Sequence, residues 1–388
     1  MNILSTEIRL AKWKISFPAL LWVILCTVGV ILKIRLGENK FNNYMIFKNV
    51  FWHTLHQSNL YIEYPNEYFD VNHYGPFFSI IIAPFALLPN NIGCFIWSVA
   101  NVAFLFYAIR QLPIGYKKQN IILFFTAIEM MTSVENTQFN PSVAAGIILT
   151  YLLIRKQKDF WANFFIVAGF LVKLYSIAGI AFFFFSRQKK RFILSFIFWM
   201  TLLFCLPMLI SSPVFILQSY HDWFNSLVQK NDVNNLSVMT NMSVMGILKH
   251  VFNFKNTLLV LIPAMILYIL PLLRKNQLKS FDFTLSYLAF VLIGVVIFSS
   301  SSESSTYIIA MTGVGIWYIL QKQADPFILV LLIFALLLTT LSTTDLTPQY
   351  LKVNFIRPYS LKALPCVLVW IVLCYQLLKK DFSVGVSK

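Results

Sequence analysis

Apolar runs separated by short polar breaks recur along the chain from Ile15 to the C-terminal tail. About 20 apolar residues cross a hydrocarbon core roughly 30 Å thick as a helix. The pattern predicts a first span over 15–34, a long polar loop over 35–74, and then segments over 75–88, 92–112, 121–133, 141–154 and 160–185. These segments are short or, in the last case, oddly long: either they make six crossings, which puts the basic 117–118 and 155–158 connections outside, or 160–185 is a re-entrant hairpin bent near Lys173 and one earlier segment fails to cross. A span over 192–210 closes this N-terminal module of 75–210, and a second polar loop fills 211–256. Within 257–378 the spans fall at 257–273, 282–298, 306–320, 326–341 and 361–378, leaving a tail of 379–388. The expected fold class is all-α: one polytopic integral membrane domain of about 12 segments with a large first extracytoplasmic loop carrying amphipathic helices.

Composition agrees, since 58% of the 388 residues are hydrophobic, 12% are charged and the mean hydropathy is +0.72. The net charge of +16 would suit nucleic acid if it formed a stripe. It is instead broken into clusters between spans: Arg9, Lys12 and Lys14; 155–158; 187–191; 274–279; Lys379 and Lys380. That is the positive-inside pattern, with both termini cytoplasmic, the loops 35–74 and 211–256 outside, and no nucleic-acid partner. The five cysteines lie in apolar surroundings without metal or redox spacing. No HExxH, glycine-rich nucleotide loop or GxSxG elbow is present, so no metal and no cofactor are expected. His53 and His56 sit on a wet amphipathic face.

Chemistry concentrates before Phe77. The stretch YIEYPNEYFDVNHYGPFF holds Glu63, Glu67, Asp70, His73 and several tyrosines, including Tyr74. Inside apolar segments stand Glu129 and Lys173, and charges there need a partner or a wet cavity. Lys173 is either a structural partner for a carboxylate or a cation for an anionic substrate. The polar break VENTQFNPS contains Gln138 and Asn140, with Pro141 suited to start a helix. In the second loop, 219–231 and 240–252 read as amphipathic pieces lying at the interface, anchored by Trp223, Phe224 and Phe252. The loop 299–307 carries one acid, Glu303. With no nucleotide cradle and an outward-facing acidic and aromatic loop, ATP-driven chemistry is not expected, and an exported lipid-linked donor is physically easier, its tail in the bilayer and its phosphate at the lip of a cavity.

These residues resemble glycosyltransferase family 87. The first span and large loop lead into YGPFFSIIIAPFALLP, similar to the family's Tyr-x-Pro-led second span. TQFNPSVAAGIIL resembles its Gly-Gln-x-Asn segment, VAGFLVKLYSIAG its Ala-Gly…Lys segment, TNMSVMGIL its Asn-x-Ser…Gly loop and SSESSTYIIA its Ser-Pro…Tyr segment. The likeness spans about residues 10–320 and rests on the order of the motifs. It implies a GT-C-like architecture and a polyprenyl-phosphate-sugar donor. It implies inverting transfer of a hexose, mannose or a related sugar, to a glycan or glycolipid at the outer face of a bacterial cytoplasmic membrane. A loop carboxylate would act as base, cations would meet the lipid phosphate, and aromatic side chains would stack on sugar faces.

The chain departs from the family at one decisive place. The family's catalytic Asp falls near FNNYMIF, where Asn42 and Asn43 stand, and an amide is no general base. Thr137 replaces the family's glycine, and the Ser-Pro pair is absent. Asp70, then Glu67, are the candidate bases, with Asn43 at the family position. Lys173 and His73 are candidates for the donor phosphate, and Tyr74, Gln138, Asn140, Asn241 and Glu303 for orienting substrate. The alternative is a transporter or flippase for a lipid-linked sugar or other anionic substrate, or a catalytically silent relative.

Overall fold

The computed structural model describes residues 7–10, 13–236, 241–321 and 325–382. Lys12 of the first basic cluster, Thr240 of the second loop and the tail from 383 to 388 lie outside the described residues. A β-hairpin, β1 (Glu7–Leu10) with β2 (Trp13–Ser16), precedes α1 (Phe17–Arg35), which ends on Lys33 and Arg35, cations suited to a helix C-terminus. Inside the first loop forms α2 (Asn42–His56). There follow α3 (Phe78–Ala86), α4 (Asn90–Arg110), α5 (Tyr116–Glu135), α6 (Asn140–Arg155) and α7 (Asp159–Val172). After them come α8 (Lys189–Cys205), α9 (Pro213–Leu236), α10 (Val244–Phe252) and α11 (Leu258–Ile269). The chain closes with α12 (Phe281–Ile297), α13 (Tyr307–Ile319), α14 (Pro326–Phe334), the short α15 (Gln349–Leu351) and α16 (Leu364–Lys379).

Five stretches among the described residues are helical, long and apolar enough to cross a membrane: Phe17–Arg35, Asn90–Arg110, Lys189–Leu209, Pro326–Thr343 and Leu361–Lys379. Their outward positions are apolar, as at Val23, Ile24 and Leu32 on α1 and Ile193, Leu194 and Ile197 on α8. Side chains of this kind face lipid without penalty. The other apolar helices are shorter, so the expected 12 segments are not 12 full-length spans. The residues form two compact units, each built from separate stretches: 22–112 with 130–231, and 1–21 with 113–129 and 232–388.

Within the first of these units, α6 is buried on nearly all sides against α4 and α7. The 160–185 segment is a hairpin, as its length suggests. α7 stops at Lys173, whose backbone is extended (φ −148°, ψ 125°), and the chain returns as a 3-10 helix over Leu174–Phe185. The ends meet where Ser186 Oγ donates to Asp159 Oδ2 at 2.7 Å. Midway, Gly179 lies so close to Ile166 that a Cβ would stand 2.9 Å from its side chain. The legs hold 14 and 12 residues, or about 21 and 24 Å, and each falls short of a roughly 30 Å core.

In the other unit, α12 and α13 are buried almost all round and pack side by side. Glu129 finds its partner there. Lys362 Nζ lies 2.8 Å from Glu129 Oε1 with both side chains fully buried, and it also reaches Ser304 Oγ at 3.0 Å and Thr343 Oγ1 at 3.3 Å.

Candidate functional site

The site is built on the loop joining α2 to α3. The N-terminus of α2 clamps that loop, because Asn42 Oδ1 accepts the Phe69 N–H at 2.7 Å and its Nδ2 donates to the Phe69 carbonyl at 2.6 Å. This pairing imitates a strand bridge and needs an amide, since a carboxylate has no donor. The next residue, Asp70, is exposed and left-handed (φ 74°), with Oδ1 accepting the N–H of Val71 at 2.8 Å. Asn43, where the resemblance leads one to expect the family's base, donates to the Asn136 carbonyl at 2.9 Å and so fixes the turn after α5.

Glu67 is committed elsewhere. Its Oε2 lies 2.9 Å from His53 Nε2, and the His53 ring packs on Tyr64 with centroids 4.1 Å apart. Burial pulls the His53 pKa down against the opposing pull of Glu67. His56, one turn further along α2, stacks on Trp52. The tyrosines hold the loop rather than offering open faces to a sugar. Tyr61 and Tyr64 donate to the carbonyls of Tyr74 and Asn59, and Tyr68 is buried. Asn72, unnoticed in the sequence, is buried and embraces the Tyr74 backbone, accepting its N–H at 2.9 Å and donating to its carbonyl at 3.0 Å.

Tyr74 is the hub. Its ring stacks on Phe47 at 4.7 Å and meets Phe78 edge-on at 4.8 Å, while its hydroxyl donates to Gln138 Oε1 at 3.0 Å. Lys173, at the hairpin bend, donates from Nζ to Asn140 Oδ1 at 2.8 Å and lies 5.6 Å from the Tyr74 ring centre and 5.1 Å from that of Tyr175. Gly75 makes the junction possible: its N–H donates to the Val172 carbonyl at 3.2 Å, and a Cβ there would stand 2.1 Å from the Leu171 carbonyl oxygen. Four of the expected residues, Tyr74, Gln138, Asn140 and Lys173, therefore form one cluster.

His73 joins it from the side of α9. Its Nδ1 lies 3.1 Å from Ser226 Oγ, and Trp223 Nε1 donates to its carbonyl at 2.9 Å. Trp223 is thus buried against the loop and is no membrane anchor, whereas Phe224 and Phe252 are exposed. Burial first, and then the charges of Lys230 and Lys173, push the His73 pKa down to about 3. At neutral pH this imidazole is a neutral hydrogen-bonding group and not a second cation.

Asn241 and Glu303 belong to the other unit and have structural partners there. Asn241 Oδ1 accepts from Ser243 Oγ, its carbonyl accepts from Ser360 Oγ at 2.9 Å, and Glu303 caps the turn Ser304–Thr306. Thr137 sits where α5 ends. Its φ of 49° is the left-handed position that a helix C-terminus usually gives to glycine, with Thr137 N–H on the Val134 carbonyl and Gln138 N–H on that of Ser133.

Comparison with curated proteins gives no match. The family model for glycosyltransferase family 87 matches residues 72–300, which take in Tyr74, Gln138, Asn140, Lys173 and α9. That match runs over more than half of the 388 residues, and with it the chain belongs to glycosyltransferase family 87.

Proposed function

We propose that this glycosyltransferase moves a hexose, mannose or a related sugar, from a polyprenyl-phosphate donor to an extracytoplasmic glycan or glycolipid, with inversion. It would work at the outer face of a bacterial cytoplasmic membrane, in a GT-C-like chain of about 12 membrane segments with both termini inside. The observation that carries the reading is Lys173, an ammonium held by Asn140 and two tyrosines at the bend of a short apolar hairpin. A lipid phosphate whose tail lies among apolar helices is a natural partner for such a cation.

The attacking hydroxyl would give its proton to Asp70 as its oxygen bonds the anomeric carbon, while the bond from that carbon to the phosphate oxygen breaks. Asp70 is the better base because Glu67 is engaged by His53, while Asp70 is exposed on a clamped loop. Gln138 and Tyr74 would orient the sugar or headgroup. Purified protein in lipid, given labelled polyprenyl-phosphate-mannose or -glucose with host lipids and glycans, should transfer sugar, and Asp70→Asn should abolish it. Full activity in Asp70→Asn would remove Asp70 from the role. The second reading, a carrier or silent relative, draws on the structural use of Asn42 and Asn43 where the family has its base. It predicts saturable donor binding with no transfer from any donor.

A further inference from the structure

We infer that Lys230, on α9 of the second loop, is a second cation of the donor-phosphate site, matched to the leaving polyprenyl phosphate more than to the bound donor. The inference rests on the reading of the Lys173 cluster as a lipid-phosphate site.

Trp223, Ser226 and Lys230 are spaced i, i+3 and i+7, which places them on one stripe of α9. Two members of that stripe touch His73: the indole N–H donates to its carbonyl at 2.9 Å, and the Ser226 hydroxyl lies 3.1 Å from its ring nitrogen. Lys230 stands one turn further along the same stripe and is half-buried. The residue after His73 is Tyr74, over whose ring the Lys173 ammonium lies at 5.6 Å. Burial first, and then both lysine charges, lower the His73 pKa, which agrees with that placement. The stripe thus sets Lys230 on the face of α9 that meets His73, while Lys173 meets Tyr74 from the hairpin bend.

Charge balance says what the second is for. The donor is a phosphodiester with one negative charge. When the anomeric carbon–oxygen bond breaks, its electron pair stays on the phosphate oxygen and the acceptor proton goes to the base. The departing lipid monophosphate then carries about −1.5 to −2 at neutral pH. Lys173 matches the charge present in the ground state. A second cation matches charge that appears only as the bond breaks, so its contribution is felt in the transition state and by the product. His73, being neutral, cannot supply that charge.

The test uses the full chain in lipid nanodiscs, with Lys230→Gln and Lys230→Arg, and two separate readings. Steady-state transfer should show kcat for Lys230→Gln lowered about 10–100-fold with donor KM changed less than about 3-fold, and most of kcat kept by Lys230→Arg. Direct binding should show polyprenyl monophosphate weakened about 10-fold by Lys230→Gln while uncharged polyprenol is unaffected. Wild-type kcat and product affinity in Lys230→Gln would overturn the inference and leave the lipid-phosphate reading standing. A loss not rescued by arginine and accompanied by a lower unfolding temperature would also overturn it, as a packing effect. If wild-type protein binds no polyprenyl monophosphate, the reading of the cluster itself fails, and the inference with it.

Discussion

Asn42 carries the most information of any single residue. In the sequence it is only an amide where the resemblance leads one to expect a carboxylate, since nothing local says that Phe69, 27 positions away, is its partner. The paired hydrogen bonds give it a reason to be an amide. Asn42→Asp removes the donor and sets a carboxylate against the Phe69 carbonyl, at a cost of about 1–3 kcal/mol. We expect a lower unfolding temperature and less transfer from this variant; a gain in transfer would show that a carboxylate at this position can serve as base. His73 makes a second prediction. Its pKa is about 3 in the folded chain against an ordinary 6.5, so the unfolded chain takes up the proton first as pH falls. Its contribution to stability is whole above about pH 6.5 and lost progressively towards pH 3. In thermal melts against pH, His73→Asn should therefore show a shallower acid decline than wild type.

Among the elements, apolar runs were legible because a bilayer reads length and hydropathy directly. The predicted segment 282–298 became Phe281–Ile297, and the over-long 160–185 became a hairpin broken at Lys173. Amphipathic stretches were misread, because a stripe that faces a loop has the same period as one that faces lipid. That is why Trp223 reads in the sequence as an anchor, and why nothing there sets Lys230 apart. The α5 terminus shows the same limit from another side: Thr137 gave no sequence sign of a left-handed turn. A β-branched residue in that conformation is strained, and its buried hydroxyl has no hydrogen-bond partner. Thr137→Gly should stabilise the protein by about 1 kcal/mol, measured as a higher unfolding temperature in detergent. Gly75→Ala should do the reverse, pushing the loop off the hairpin bend for about 1–3 kcal/mol and lowering transfer with it.

Across the molecule, the sequence announced Glu129 as a charge in need of a partner but not which one. Lys362 stands at the start of a span and looks like an ordinary headgroup-level cation, yet it is fully buried on Glu129. Lys362→Met would strand that carboxylate and should cost about 3–5 kcal/mol. Adding Glu129→Gln should recover much of the loss, and equal melts for the single and double variants would deny the pairing. The division into two units has a consequence for biogenesis. One unit is complete when residue 231 has been made, whereas the other needs the chain through to its last stretch. At translation rates of about 5–20 residues per second, the second waits roughly 10–30 s for its remaining helices. Glu129 is made 233 residues ahead of Lys362, about 12–47 s at the same rates, so a nascent chain must shelter an orphan carboxylate until the ribosome delivers its counter-ion.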